Sequence, residues 1–299
     1  MVWHPVDSTG ECLRESGGAT GSERLYYEEI SCLYPSLSNT YMKWEYETDY
    51  IFKFSSKMEA NPWIPLVACA LYVVAIFSGQ AYMKNRPAWN WRNTLAFWNL
   101  LLSVFSFVGF MRVAPQVLHN IYYYGLRDNV CESPYSLVGA GPVANWGLYF
   151  LLSKFAELFD TFFIVIHKKK LLFLHWYHHI TVLYCCWHTW VNETPTGLIF
   201  CAVNFGVHAI MYFYYFLMAV RCKPKWFNPI VITVTQIAQM VVGVFLTFSS
   251  LNYVGSEGCW ANMTNIQGTL VMYASYLFLF LQFFFKRYGV GIRKTKKVD

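Results

Sequence analysis

Charge is what this chain has least of. Asp, Glu, Lys and Arg make up 13% of its 299 residues, about half the share usual in a globular protein. Too few charges remain to cover a soluble surface. An apolar stretch at the start is missing too: residues 1–60 hold ten acids and five bases and no signal-peptide core. The first apolar run must therefore direct insertion itself. The nine cysteines show no metal-type spacing, Cys185-Cys186 being merely adjacent within an apolar stretch. The net charge of +6 does not indicate a nucleic-acid surface, because the basic residues sit in short clusters between apolar runs.

What is abundant is apolar: 56% of all residues, with 20% aromatic. Seven runs, at roughly 63–83, 93–111, 145–166, 172–190, 197–219, 228–250 and 267–285, are each long enough to cross about 30 Å of hydrocarbon. The pattern predicts an all-α polytopic membrane protein with seven transmembrane helices. Three parts are expected: a polar, acidic and mostly irregular segment over 1–60, a seven-helix membrane domain over 61–285, and a basic tail over 286–299. Within the first part, Tyr41–Phe54 has the composition of a short helix lying on the membrane surface.

The connections alternate in basic content. Lys84, Arg86 and Arg92, then Lys168–Lys170, then Arg221, Lys223 and Lys225, together with the tail, hold 15 of the 23 Lys and Arg. The loop expected over 112–144 holds only Arg112 and Arg127, and 191–196 and 251–266 hold none. By the positive-inside rule the basic loops and the C-terminus are cytosolic and the N-terminus is luminal. The sequons at Asn192 and Asn262 fall on the luminal side, as do Cys131 and Cys259, where a disulfide could persist. The ending Lys296-Lys297-Val298-Asp299 resembles a dilysine retrieval signal of the endoplasmic reticulum, a receptor-read address.

Polar residues inside a span are costly and default to function. The third run holds Lys154, Glu157, Asp160 and Thr161 at steps of three and four, hence on one helical face. The fourth holds His175, His178 and His179, again on one face. The fifth carries Asn204, His208, Tyr212 and Tyr215 up one side, with Met211 and Tyr214 between them. The sixth has Thr233, Gln236 and Gln239. At 1.5 Å per residue, Asp160 and His178 lie about 9 Å from the cytosolic ends of their spans, Tyr212 about 10 Å and Gln236 about 12 Å. Independent structural hydrogen bonds have no reason to align at one depth; a shared site does.

With these four segments in view, the chain resembles the fatty-acid elongase family of the endoplasmic reticulum over about residues 60–290. The family's Lys-x-x-Glu-x-x-Asp-Thr box matches Lys154, Glu157, Asp160 and Thr161, and its His-x-x-His-His box matches His175, His178 and His179. His-x-x-Met-Tyr-x-Tyr-Tyr matches His208, Met211, Tyr212, Tyr214 and Tyr215; Thr-x-x-Gln-x-x-Gln matches Thr233, Gln236 and Gln239. The resemblance implies a barrel of helices two to seven around an acyl tunnel open to the cytosol, with the first span outside. It implies condensation of an acyl-CoA with malonyl-CoA to a 3-oxoacyl-CoA, CO2 and CoA, with no cofactor and no metal. The reductase and dehydratase of the elongation cycle are the partners it implies.

The residues suit that reaction. Burial disfavours a charged ring, which leaves a neutral imidazole as nucleophile. His178 is the expected acyl carrier, His208, Asn204 and Gln239 the donors to the developing oxyanion, and Glu157 and Asp160 the groups that orient the imidazoles, with Lys154 offsetting their charge. Assignment among the three box histidines stays open at this point. The box and its Ile-Thr-Val-Leu-Tyr continuation resemble the branch acting on saturated and monounsaturated chains; an elongase of polyunsaturated chains is the alternative. A di-iron enzyme would need about eight ligands from several boxes, and this chain has one. A seven-span receptor or transporter fits the span number but not the polar layer near the cytosol.

Overall fold

A computed structural model of the chain describes residues 9–17, 24–46, 49–139, 141–256 and 259–288. The tail with Lys296 and Lys297, where a dilysine retrieval signal is expected, lies outside the described residues.

The membrane part begins at α4 (Trp63–Met83). It continues through α5 (Arg92–Cys131), the short α6 (Pro134–Leu137), α7 (Pro142–Glu157), α8 (Asp160–Ile166), α9 (Phe173–Val191), α10 (Gly197–Val220), α11 (Pro229–Leu251) and α12 (Met263–Tyr288). Five of these, α4, α5, α10, α11 and α12, are long and apolar enough to cross a membrane. The third and fourth expected spans are not among them. The third is divided between α7 and α8, and the fourth, α9, carries the histidines. Packing contacts run from α5 to α7, α9, α12, α11 and α10 and back to α5, while α4 lies against α8 and α9.

Two expectations need correction. Residues 112–144 are not a loop: α5 continues to Cys131, some 20 residues past the apolar run. It bends at Gly125, whose φ of 74° favours glycine. The extension is invisible to hydropathy because its buried side is polar, with Arg112, Gln116, His119 and Asn120 all buried.

Nor is the N-terminal segment mostly irregular. Strands β1 (Leu13–Gly17) and β2 (Arg24–Glu28) pair antiparallel, with Leu13 opposite Glu28, and a Cys12–Cys32 disulfide closes the hairpin. Helices α1 (Ile30–Leu33), α2 (Pro35–Ser38) and α3 (Asp49–Ala60) follow, with a 3-10 turn over Lys43–Tyr46. The segment is clasped to the membrane helices through Glu45. Its carboxylate accepts from Arg112 Nε at 2.7 Å, Trp146 Nε1 at 2.8 Å and the Met42 amide at 2.6 Å, and its carbonyl accepts from Asn145 Nδ2 at 2.7 Å. His119 sits between Tyr34 and Glu28, and the Tyr27 ring covers Gly139, where a Cβ would clash with it. Acidic residues made this stretch look solvated; their partners lie on α5 and α7. A second disulfide, Cys131–Cys259, ties the end of α5 to the segment before α12, so the open pairing is formed.

Candidate active site

The helix that carries the acidic box is not uniform. Between Glu157 and Asp160 the backbone bonds tighten to three-residue steps, Phe159 N to Ala156 O at 3.0 Å and Phe162 N to Phe159 O at 3.0 Å. Such a mid-helix 3-10 stretch often accompanies a functional constraint. At three residues per turn, side chains three apart eclipse, and Glu157 and Asp160 are three apart.

Glu157 anchors one group of contacts. Its Oε1 accepts from Lys154 Nζ at 2.6 Å and from Ser153 Oγ at 3.2 Å, and lies 3.6 Å from Nδ1 of His208. Lys154 also donates to Asn204 Oδ1 at 3.0 Å. All of these side chains are buried. Asp160 turns elsewhere: it accepts from Tyr212 OH and from Trp98 Nε1, each at 2.6 Å. Glu157 thus faces one imidazole, that of His208, whereas the expected role of Asp160 in orienting a histidine is not what its contacts show. Tyr212 and Trp98 are the groups it holds.

The histidine box occupies the first turns of α9. His175 Nε2 lies 2.9 Å from the Thr161 hydroxyl, which lies 2.6 Å from the hydroxyl of Tyr72. His179 packs edge-on against His175, with ring centroids 4.5 Å apart. The ring of His178 lies edge-on to that of His179, with centroids 5.5 Å apart, and 5.1 Å from that of Tyr276.

What sets His178 apart is the space beside it. A cavity of about 180 Å3 is lined at one end by His178, Asn204 and Gln239, and onward by Val182, Cys186, Cys201, Leu151 and Met240. Of the three box histidines, His178 alone lines it. Glycines let two of its walls pack closely: a Cβ on Gly147 would lie 3.3 Å from the Trp190 ring, and one on Gly197 3.0 Å from Thr189 Cγ2. The cavity reaches as far as Pro134, Tyr135 and Glu193 and takes in both His178 and Trp190 of α9, so it is elongated along that helix.

Residues 57–299 match the family described as ELO: GNS1/SUR4. The chain belongs to the ELO family. Very long chain fatty acid elongase 6 of Drosophila melanogaster is 38% identical over 260 residues, 85% of this chain and 82% of that protein. The protein of the same name from Gallus gallus is 40% identical, over 77% and 86% of the two chains. Very long chain fatty acid elongase 4 of Trypanosoma cruzi is 40% identical, over 75% and 80%.

The ELO match begins within α3, so the hairpin, its disulfide and the Glu45 clasp lie upstream of it. Inside the match, the structure brings together Lys154, Glu157, Asn204 and His208 as one group, and Thr161 with His175 as another. His178, Asn204 and Gln239 share the cavity. Gln236 stands beside it, donating to Met211 Sδ at 3.3 Å. Tyr215 does not join them; it is 44% exposed. Tyr214 packs on Phe227 instead. Among the described residues, no three His, Cys, Asp or Glu side chains are grouped to hold a metal ion.

Three residues of the site escaped the sequence reading. Tyr276 was legible, since Thr269, Tyr273 and Tyr276 follow the same steps of four and three used on the other spans. Trp98 and Tyr72 were not, because each is a lone polar group on an otherwise apolar face.

Proposed function

We propose that His178 carries the growing chain in a condensing enzyme of fatty-acid elongation. The chain's family and its elongase-named relatives make it such an enzyme, a very-long-chain 3-oxoacyl-CoA synthase acting on acyl-CoA and malonyl-CoA. The assignment of His178 rests on one observation: it is the box histidine on the wall of the cavity that Asn204 and Gln239 also line.

In this reading the ring nitrogen of His178 attacks the acyl-CoA thioester, the carbon–sulfur bond breaks, and the ring N–H proton leaves with CoA as its thiol. The acyl-imidazole is shielded from water by the cavity. Malonyl-CoA then loses CO2, and the resulting enolate carbon attacks the acyl carbon. The carbon–nitrogen bond breaks, the ring takes up one proton from the aqueous phase, and the 3-oxoacyl-CoA leaves two carbons longer. Asn204 and Gln239 donate to the oxyanion, while Glu157 orients His208 and Lys154 balances its charge. No cofactor beyond the two CoA substrates enters this scheme.

The cavity is read as the acyl tunnel inside a barrel of the second to seventh spans, with its reactive end toward the cytosol. The basic loops support that orientation, with the N-terminus luminal, as do the two disulfides at the opposite end, which suit an oxidising lumen. The dilysine ending supports residence in the endoplasmic reticulum, where the reductase and dehydratase of the cycle are the expected neighbours. The preferred chains are saturated or monounsaturated, supported by the box sequence.

Intact-protein mass spectrometry after incubation with acyl-CoA tests the carrier. A gain equal to the acyl group, absent in His178→Ala and present in His175→Ala, is expected. Acylation of His178→Ala would return the assignment to the other box histidines. A panel of acyl-CoAs of graded unsaturation separates the two substrate readings.

A further inference from the structure

The end of the cavity away from His178 is built largely by residues upstream of, or peripheral to, the catalytic boxes. Ile51 and Ser55 come from α3, before the start of the ELO match, Tyr135 comes from α6, Trp190 from the end of α9 and Glu193 from the turn that follows it. The walls between the two ends are apolar or small. At the far end polar groups return in two pairs: Trp190 Nε1 donates to Ser55 Oγ at 3.0 Å, and Tyr135 OH donates to Glu193 Oε1 at 2.6 Å.

Depth follows from α9 itself. His178 and Trp190 both lie on that helix and both line the cavity, and the rise between them is about 18 Å. This is slightly more than half of the roughly 30 Å hydrocarbon core, hence about the reach of one ordinary membrane acyl chain. A chain held at His178 gains with every methylene laid along the apolar wall. One that reaches the bottom must displace an indole or open two hydrogen-bonded pairs, leaving polar groups unmatched.

Building on the reading of this cavity as the acyl site, we propose that Trp190 with Ser55, and Tyr135 with Glu193, form its floor and set the longest acyl chain extended. The N-terminal helix α3 is then a chain-length determinant, and the segment clasped by Glu45 does more than decorate the membrane domain. Its docking holds Ile51 and Ser55 in place beneath the tunnel.

The test is elongation by the full-length protein in microsomes, with labelled malonyl-CoA and a ladder of saturated acyl-CoAs. Ser55→Phe fills the floor and should move the longest accepted chain down by about two carbons. Preference falls about fourfold for each methylene excluded, equivalent to about 0.8 kcal/mol. Trp190→Ala and the milder Ile51→Ala deepen the floor and should move the limit up. Misfolding lowers every chain together and cannot lengthen the limit, so a longer product from either enlarging variant supports the proposal even where Ser55→Phe accumulates poorly. Activity scaled equally at all chain lengths in the three variants would overturn it while leaving the elongase reading intact. A wild-type protein that extends no acyl-CoA would overturn both.

Discussion

The hydroxyl groups of Tyr72 and Thr161 lie 2.6 Å apart, and through them α4 reaches the histidine box. Thr161 is fully buried and touches Nε2 of His175. The helix outside the ring of packed helices therefore contributes to the site rather than only facing lipid.

Removing the Tyr72 hydroxyl alone isolates this contact. Tyr72→Phe keeps the ring against His179 and should lower turnover about two- to tenfold, the range for one hydrogen bond of about 0.5–1.5 kcal/mol. Steady-state elongation rates read it directly. Unchanged turnover would mean that the contact is packing only.

Lys154 and Glu157 form a buried pair 2.6 Å apart. Breaking one partner leaves a charge uncompensated and typically costs about 3–5 kcal/mol. Glu157→Gln should therefore lose stability as well as activity, seen as a lower Tm in detergent. Lys154→Met combined with Glu157→Met should recover much of the Tm but none of the elongation.

The Glu45 clasp makes docking of the N-terminal segment depend on pH. Burial pushes the Glu45 carboxyl up, but hydrogen bonds from Arg112, the Met42 amide and Trp146 outweigh it and hold the group below its usual range. A carboxyl lowered on folding stabilises the native state above its unfolded value, about 4.3. That contribution is lost as pH falls through the lower native value. Limited proteolysis of the hairpin should accelerate only below about pH 4. Arg112→Met should show the accelerated cleavage already at neutral pH.

The Cys131–Cys259 bridge spans 128 residues of sequence. Closing so long a loop typically contributes about 2–4 kcal/mol. Cys131→Ser with Cys259→Ser should lower thermal stability accordingly, measured as loss of monodisperse protein on heating. Peptide mapping without reductant should recover the two cysteines joined.

The helical faces were legible because a 3.6-residue period is a property of the local backbone. Lys154 and Glu157 could be placed together from spacing, as could Asn204 and His208. The same method failed over 112–131, where α5 continues as a helix with a polar buried side that hydropathy scores as loop. It also failed over the first 60 residues. The charges on Glu28 and Glu45 suggest water when read alone, and their buried partners, His119 and Arg112, are remote in sequence.

The sequence by itself determined that this chain lies in a membrane and which of its helices carry polar faces. Each follows from local composition and helical geometry. Only the tertiary structure decided that His178 rather than His175 or His179 faces the cavity, that Asp160 holds Tyr212 and Trp98, and that α3 lies beneath the bore. Those outcomes depend on how each helix is turned about its own axis against its neighbours. Long-range packing sets that rotation, and no local period encodes it.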